Sequence, residues 1–141
     1  MRENKITMFT GPKQTKYKKT KKGKLSKFEF KSNDLKFGTV GLKAIESGII
    51  NARQIEASRQ AIVRKMNRKG KIWIKIFPDL TITSKPTGVR IGKDKGQVSH
   101  WAARVRGGTV LFEVCGLNFN IICSALKTGG AKLPIKTKIF T

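Results

Sequence analysis

Acidic side chains are scarce in this chain: eight Asp and Glu stand against thirty-one Lys and Arg, leaving a net charge of +23. Most carboxylate-based acid–base chemistry is thereby excluded, since Asp79 and Asp94 only bracket a loop and Asp94 sits between Lys93 and Lys95, where ion pairing is its expected role. His100 is the only histidine, so neither a triad nor a two-imidazole metal site can be assembled. Cys115 and Cys123 form no CxxC pair, which argues against zinc and for buried thiols in a reducing compartment. No run approaches the roughly 18 apolar residues of a membrane-spanning helix, and Met1–Ile6 lacks the apolar centre of a signal peptide, so a soluble protein is expected. Nucleotide-binding loops are missing as well. Gly88-Val-Arg-Ile-Gly92-Lys93-Asp94 has one residue too few between its glycines for a Walker motif and no Ser or Thr after the lysine, and GxGxxG is absent. No cofactor or metal is expected.

What is present is positive charge in quantity. Charge of one sign at this density opposes compaction unless a polyanion or counterions neutralise it. Nucleic acid fits best, because each phosphate carries a unit charge and each contacting Lys or Arg releases condensed counterions. An anionic membrane surface would call for a basic amphipathic helix with Trp, Phe or Leu opposite, whereas the aromatics here lie in strand-like segments.

The 141 residues suit one domain with a real core, 38% of them being hydrophobic. Residues 1–27 are too basic and too poor in apolar side chains to contribute to that core. They read as an RNA-binding extension carrying Lys13, Lys16, Lys18, Lys19, Lys21 and Lys22, ordered by an anion if at all. From Phe28 apolar residues recur at short intervals through Phe30, Leu35, Phe37, Val40, Leu42 and Ile45, which places a single globular domain over 28–141.

Within it, Phe37–Ile45 reads as a short strand closed by Gly48. Asn51-Ala-Arg-Gln54 has the form of a capping box and starts a helix running to Gly70. At about 100° per residue, Ile55, Ile62 and Met66 share a core stripe while Arg53, Arg64 and Arg68 lie opposite. A cationic outer face is ordinarily just solvated. Here Glu56 is the helix's only acid, so external phosphate is the better explanation for the arginines. Lys71–Phe77 and Val98–Arg106 alternate as strands and hold between them a long basic loop, 78–97, in which Pro78, Pro86 and three glycines argue against helix or strand. Gly107-Gly108 looks like a hairpin turn into an antiparallel strand, Thr109–Cys115. A second helix follows over Leu117–Lys127, stopped by Gly129-Gly130, and Pro134 opens an edge strand over 135–141. The expected fold is α+β, a mostly antiparallel sheet with two helices packed outside it.

The loop has the parts that RNA requires. Arg90 can pair bidentately with a phosphate or a guanine edge; Lys85, Lys93 and Lys95 can hold phosphates; Gly88, Gly92 and Gly96 let the main chain approach a sugar-phosphate backbone. Trp73 and Trp101 are candidates either for the core or for stacking on bases.

These residues also carry a resemblance. Pro12-Lys-Gln-Thr-Lys-Tyr-Lys-Lys19, Phe37-Gly-Thr-Val-Gly-Leu-Lys-Ala44, Ala52-Arg-Gln-Ile-Glu-Ala57, Gly70-Lys-Ile-Trp-Ile-Lys-Ile-Phe-Pro-Asp79, Thr83-Ser-Lys-Pro86, Val89-Arg-Ile-Gly-Lys93 and Ala131-Lys-Leu-Pro-Ile-Lys-Thr137 occur in one order from Pro12 onward. Together they resemble the universal large-subunit ribosomal protein sixteen family, bacterial type. Any one stretch alone would be weak.

The resemblance implies a non-enzymatic constituent of the large subunit. Such a protein binds 23S-type ribosomal RNA near the peptidyl-transferase region and the tRNA acceptor arm, at the A site with the P site as alternative. It supports late assembly and tRNA placement beside neighbouring ribosomal proteins, with no membrane and no homo-oligomer. Arg90 coincides with a loop arginine hydroxylated in some bacterial members. Asp94 departs from a basic or glycine-rich part of the family pattern, Cys115 from an acidic position, and 118–124 from a more alanine-rich helix. The preference for Lys, Ile, Asn and Phe over Arg and Ala fits an AT-rich genome and points to a mitochondrial matrix, with plastid stroma or bacterial cytoplasm as alternatives. Two other classes stay open at this point: a free RNA-processing enzyme, which would need the missing acid–base set, and a DNA-compacting protein, which would show no RNA preference.

Overall fold

A computed structural model describes residues 11–141, with the order β1 (Val40–Ala44), β2 (Gly48–Asn51), α1 (Ala52–Lys65), β3 (Lys71–Ile74), β4 (Leu80–Ser84), β5 (Gln97–Val105), β6 (Val110–Cys115), α2 (Phe119–Gly130) and β7 (Thr137–Phe140). The strands form two antiparallel sheets, ordered β3-β6-β1-β7 and β2-β5-β4. α1 leans on β2 and β5, α2 on β1 and β7, and the helices pack on each other, so the pair ties the sheets together. The fold is α+β and mostly sheet, as expected.

β6 is buried on both faces because it is the central partner of β1 and β3, and Leu111, Phe112 and Val114 anchor the core with Leu42, Ile50, Ile62, Ile122 and Leu126. α1 begins as its sequence signals: the Asn51 amide donates to Gln54 Oε1 at 2.9 Å. Its inner face includes Ser58, whose hydroxyl donates to the Gly129 carbonyl at 2.9 Å. A Cβ on Gly129 would run into Ile62, so the small residue is what brings the helices this close.

Six expectations need correction. The helix ends at Lys65 rather than Gly70, because Asn67 and Arg68 take left-handed backbone with φ of 52° and 58°. Strand β2 starts at Gly48, which had looked like a terminator, and pairs with β5 from Gly48 to Asn51. Leu80–Ser84, assigned to the loop, is a strand paired with β5; Pro78 and Pro86 only bracket it. Gly107-Gly108 does not make a hairpin, since β5 and β6 belong to different sheets. The Gly108 amide donates instead to the Ala44 carbonyl at 2.7 Å. Phe28, Phe30 and Phe37 do not enter the core; all three are exposed. α2 runs through Gly129-Gly130 rather than stopping before them. β7 is an edge strand, as the proline before it indicates.

Candidate nucleic-acid interface

The basic loop is shorter and differently mounted than its sequence implies. It spans 85–96 and joins β4 to β5, so its two supports are neighbours in one sheet, while β3 belongs to the other. Lys85 Nζ closes the base by donating to the Gly92 carbonyl at 2.9 Å. Gly88 has φ +87°, a value that L side chains adopt only with strain. Gly96 lies against the Ser84 carbonyl with no room for a Cβ, so only glycine fits at this point of the loop's base. Gly92 faces open space. Arg90 is exposed between Val89 and Ile91, both exposed too, and Lys93 is free of carboxylate partners among the described residues.

Asp94 makes no ion pair among the described residues, against expectation. Lys95 turns instead to the N-terminal extension, donating to the Thr20 carbonyl at 2.6 Å, while Lys19 Nζ donates to the Lys95 carbonyl at 2.6 Å. Thr20 is also pinned to Thr81 of β4, its amide and hydroxyl each 3.2 Å from Thr81 Oγ1. The extension, read as a separate arm, is thus fastened to the loop's base over 19–20; its residues before Gly11 lie outside the described residues. Gly11 rests on the face of Trp101, 2.5 Å from the position its Cβ would take, so Trp101 anchors the extension. Lys13, Lys16, Lys18, Lys21 and Lys22 are all exposed along this path.

Trp101 separates two shallow depressions. One, about 460 Å³, is lined by Thr15, Lys18, Lys19 and Gln97; the other, about 410 Å³, by Asn51, Arg53, Ser99 and His100. Arg53 therefore joins the arm-and-loop tract. Arg64 lies about 16 Å further along α1, the rise of eleven residues, and borders a different groove of about 600 Å³ with Arg59, Asn67 and Arg68. Arg59 is neutralised there by Glu56, with Nη2–Oε1 at 2.6 Å. Hydrogen bonding to Arg59 outweighs partial burial and lowers the Glu56 pKa. No carboxylate pairs with Arg53, Arg64 or Arg68 among the described residues. The left-handed turn at Asn67-Arg68 costs about 1–2 kcal/mol for a residue such as arginine, and it turns Arg68 into the groove lining by a route a helical projection does not foresee.

Glu113 sits in the middle of β6 with 0% exposure. Burial alone would raise its pKa, but amides of Gly38, Phe37 and Lys36, donating at 2.8, 2.7 and 3.2 Å, and Lys75 Nζ at 3.6 Å hold it below the usual 4.5. The signal was in the sequence: a carboxylate inside Val-Leu-Phe-Glu-Val in a chain so poor in acids.

Cys115 and Cys123 are free and half-buried, and no cluster of metal-ligating side chains occurs among the described residues. No described helix is long and apolar enough to cross a membrane.

Against this geometry, the family described as ribosomal protein L16p/L10e matches residues 12–140. The chain belongs to that family. It is 53% identical over 127 residues to the large ribosomal subunit proteins uL16 of Bartonella henselae and Bartonella quintana, covering 90% of this chain and 93% of each relative. Identity to the Bartonella bacilliformis uL16 is 52% over the same span. The match begins inside the lysine-rich extension and runs through the loop to β7, so the arm from Pro12 onward, the loop and α1 are within family sequence. An L16p/L10e member is a structural ribosomal component rather than an enzyme.

Proposed function

We propose that this protein is a constituent of the large ribosomal subunit that binds 23S-type ribosomal RNA. The proposed contacts are the extension over 1–27 and, on a single domain over 28–141, the loop at 85–96 and the cations of α1. The observation that carries the reading is the clasp between Lys19 and Lys95: two ammonium groups are brought to the same loop base with only carbonyl oxygens as partners. Carbonyls satisfy hydrogen bonds but leave both charges unneutralised, and phosphate supplies what is lacking. The named relatives support the subunit assignment.

Arg90 is exposed midway along loop 85–96, and on this reading it reaches toward the peptidyl-transferase region and the acceptor arm of an A-site tRNA, with the P site as alternative. Neighbouring large-subunit proteins complete its surroundings. The use of Lys, Ile, Asn and Phe supports a mitochondrial ribosome; a tagged copy followed through organelle fractionation decides between matrix, plastid and bacterial cytoplasm.

Arg90→Ala tests the loop. Because Arg90 makes none of the bonds that fasten the loop, the variant is expected to associate with large subunits normally and to lower translation or late assembly severalfold, read from sedimentation profiles and peptide synthesis. Unaltered growth and translation would count against the role.

A further inference from the structure

We propose that Phe37, Trp73 and Lys75 form a platform on which one unpaired RNA base stacks, a contact separate from the extension, α1 and loop 85–96; it rests on the ribosomal-RNA reading above. Phe37 is 60% exposed, yet its backbone is fixed from inside the protein. Its own amide and those of Lys36 and Gly38 all end on the buried Glu113 carboxylate. Gly38 beneath it has no room for a side chain, since a Cβ would lie 2.8 Å from the Val114 nitrogen. The Trp73 ring lies 6.0 Å away at 22°, nearly parallel, and Lys75 Nζ stands 4.4 Å from the Phe37 ring centre.

A phenyl ring needed only for packing would be buried. This one is presented just before β1, beside Trp73 of the edge strand β3, on a backbone held by an internal carboxylate. Lys71, Trp73 and Lys75 share one face of the strand by its period of two, and Lys36 precedes Phe37. The nearest acid, Glu113, is buried and already occupied. A partner must therefore bring both a flat π face and negative charge, which a nucleotide does: base on Phe37 and Trp73, phosphates toward the lysines. A protein neighbour would have to supply acidic side chains around an aromatic, and that alternative is separated by the test.

The test is fluorescence anisotropy with two labelled probes of equal length and charge, an oligouridylate and an abasic ribose-phosphate oligomer. The intact protein is expected to prefer the oligouridylate. Phe37→Ala and Phe37→Leu should weaken oligouridylate binding about fivefold or more and leave abasic binding unchanged, while Phe37→Tyr keeps the preference. Because the ring is mostly exposed, the leucine variant controls for loss of bulk. A Phe37→Ala protein that binds each probe as the intact protein does, with the preference for oligouridylate persisting, overturns the platform alone. A parallel loss for both probes overturns it too, as does an intact protein that binds both probes with equal affinity. Failure of the intact protein to bind either probe defeats the ribosomal-RNA reading itself, a result distinct from these.

Discussion

Glu113→Ala is expected to lower the unfolding free energy by about 2–4 kcal/mol, the largest stability effect of any single substitution considered. The side chain has no exposure, and its removal strands three consecutive amides and Lys75. Lys75 and residues 36–37 can regain some water, which keeps the figure below that of a fully sealed ion pair. Glu113→Gln retains one oxygen acceptor but turns an amide toward these donors, and should fall between. The pH dependence has a definite sign. The folded pKa lies below the ordinary 4.5, so the unfolded chain binds the proton more readily. The stabilisation is therefore complete above about pH 4.5 and is lost as pH falls through the lower folded value. Denaturant midpoints measured down the acid range should converge for the parent and Glu113→Gln. A Glu113→Ala protein as stable as the parent at neutral pH would contradict this.

Replacing Lys13, Lys16, Lys18, Lys19, Lys21 and Lys22 together by alanine is expected to reduce RNA affinity by orders of magnitude at low salt. The double-logarithmic salt dependence should become shallower by about four to five, given roughly 0.7–0.9 per phosphate contact. These side chains are exposed, so folding should be nearly unaffected. Lys19 has a second role, since its loss also releases the Lys95 carbonyl at the loop base. Filter binding across a salt series reads the slope directly. An unchanged slope would reduce the extension to a solvated tail.

Local features were legible wherever the cause was local. The capping pair Asn51 and Gln54 marked the start of α1, and Pro134 marked an edge strand, because each acts on its own backbone. The division into two sheets was not legible. β5 and β6 are joined by two glycines and look like a hairpin, but β6 is taken by β1 and β3, partners distant in sequence. Similarly, Leu80–Ser84 carries a β-branched run that the flanking prolines concealed. The lysines and Arg90 could be singled out from charge alone. That Lys19 meets Lys95, that Trp101 seats Gly11, and that Glu113 fixes Phe37 could not, since each joins positions far apart in the chain.

Sedimentation of the tagged protein through a high-salt gradient tests the central claim most directly. A large-subunit constituent travels with the large-subunit peak after salt has stripped loosely bound factors, and its quantity there should be stoichiometric with other subunit proteins. Recovery of the protein wholly in the soluble fraction, with none on the large subunit, would contradict the account.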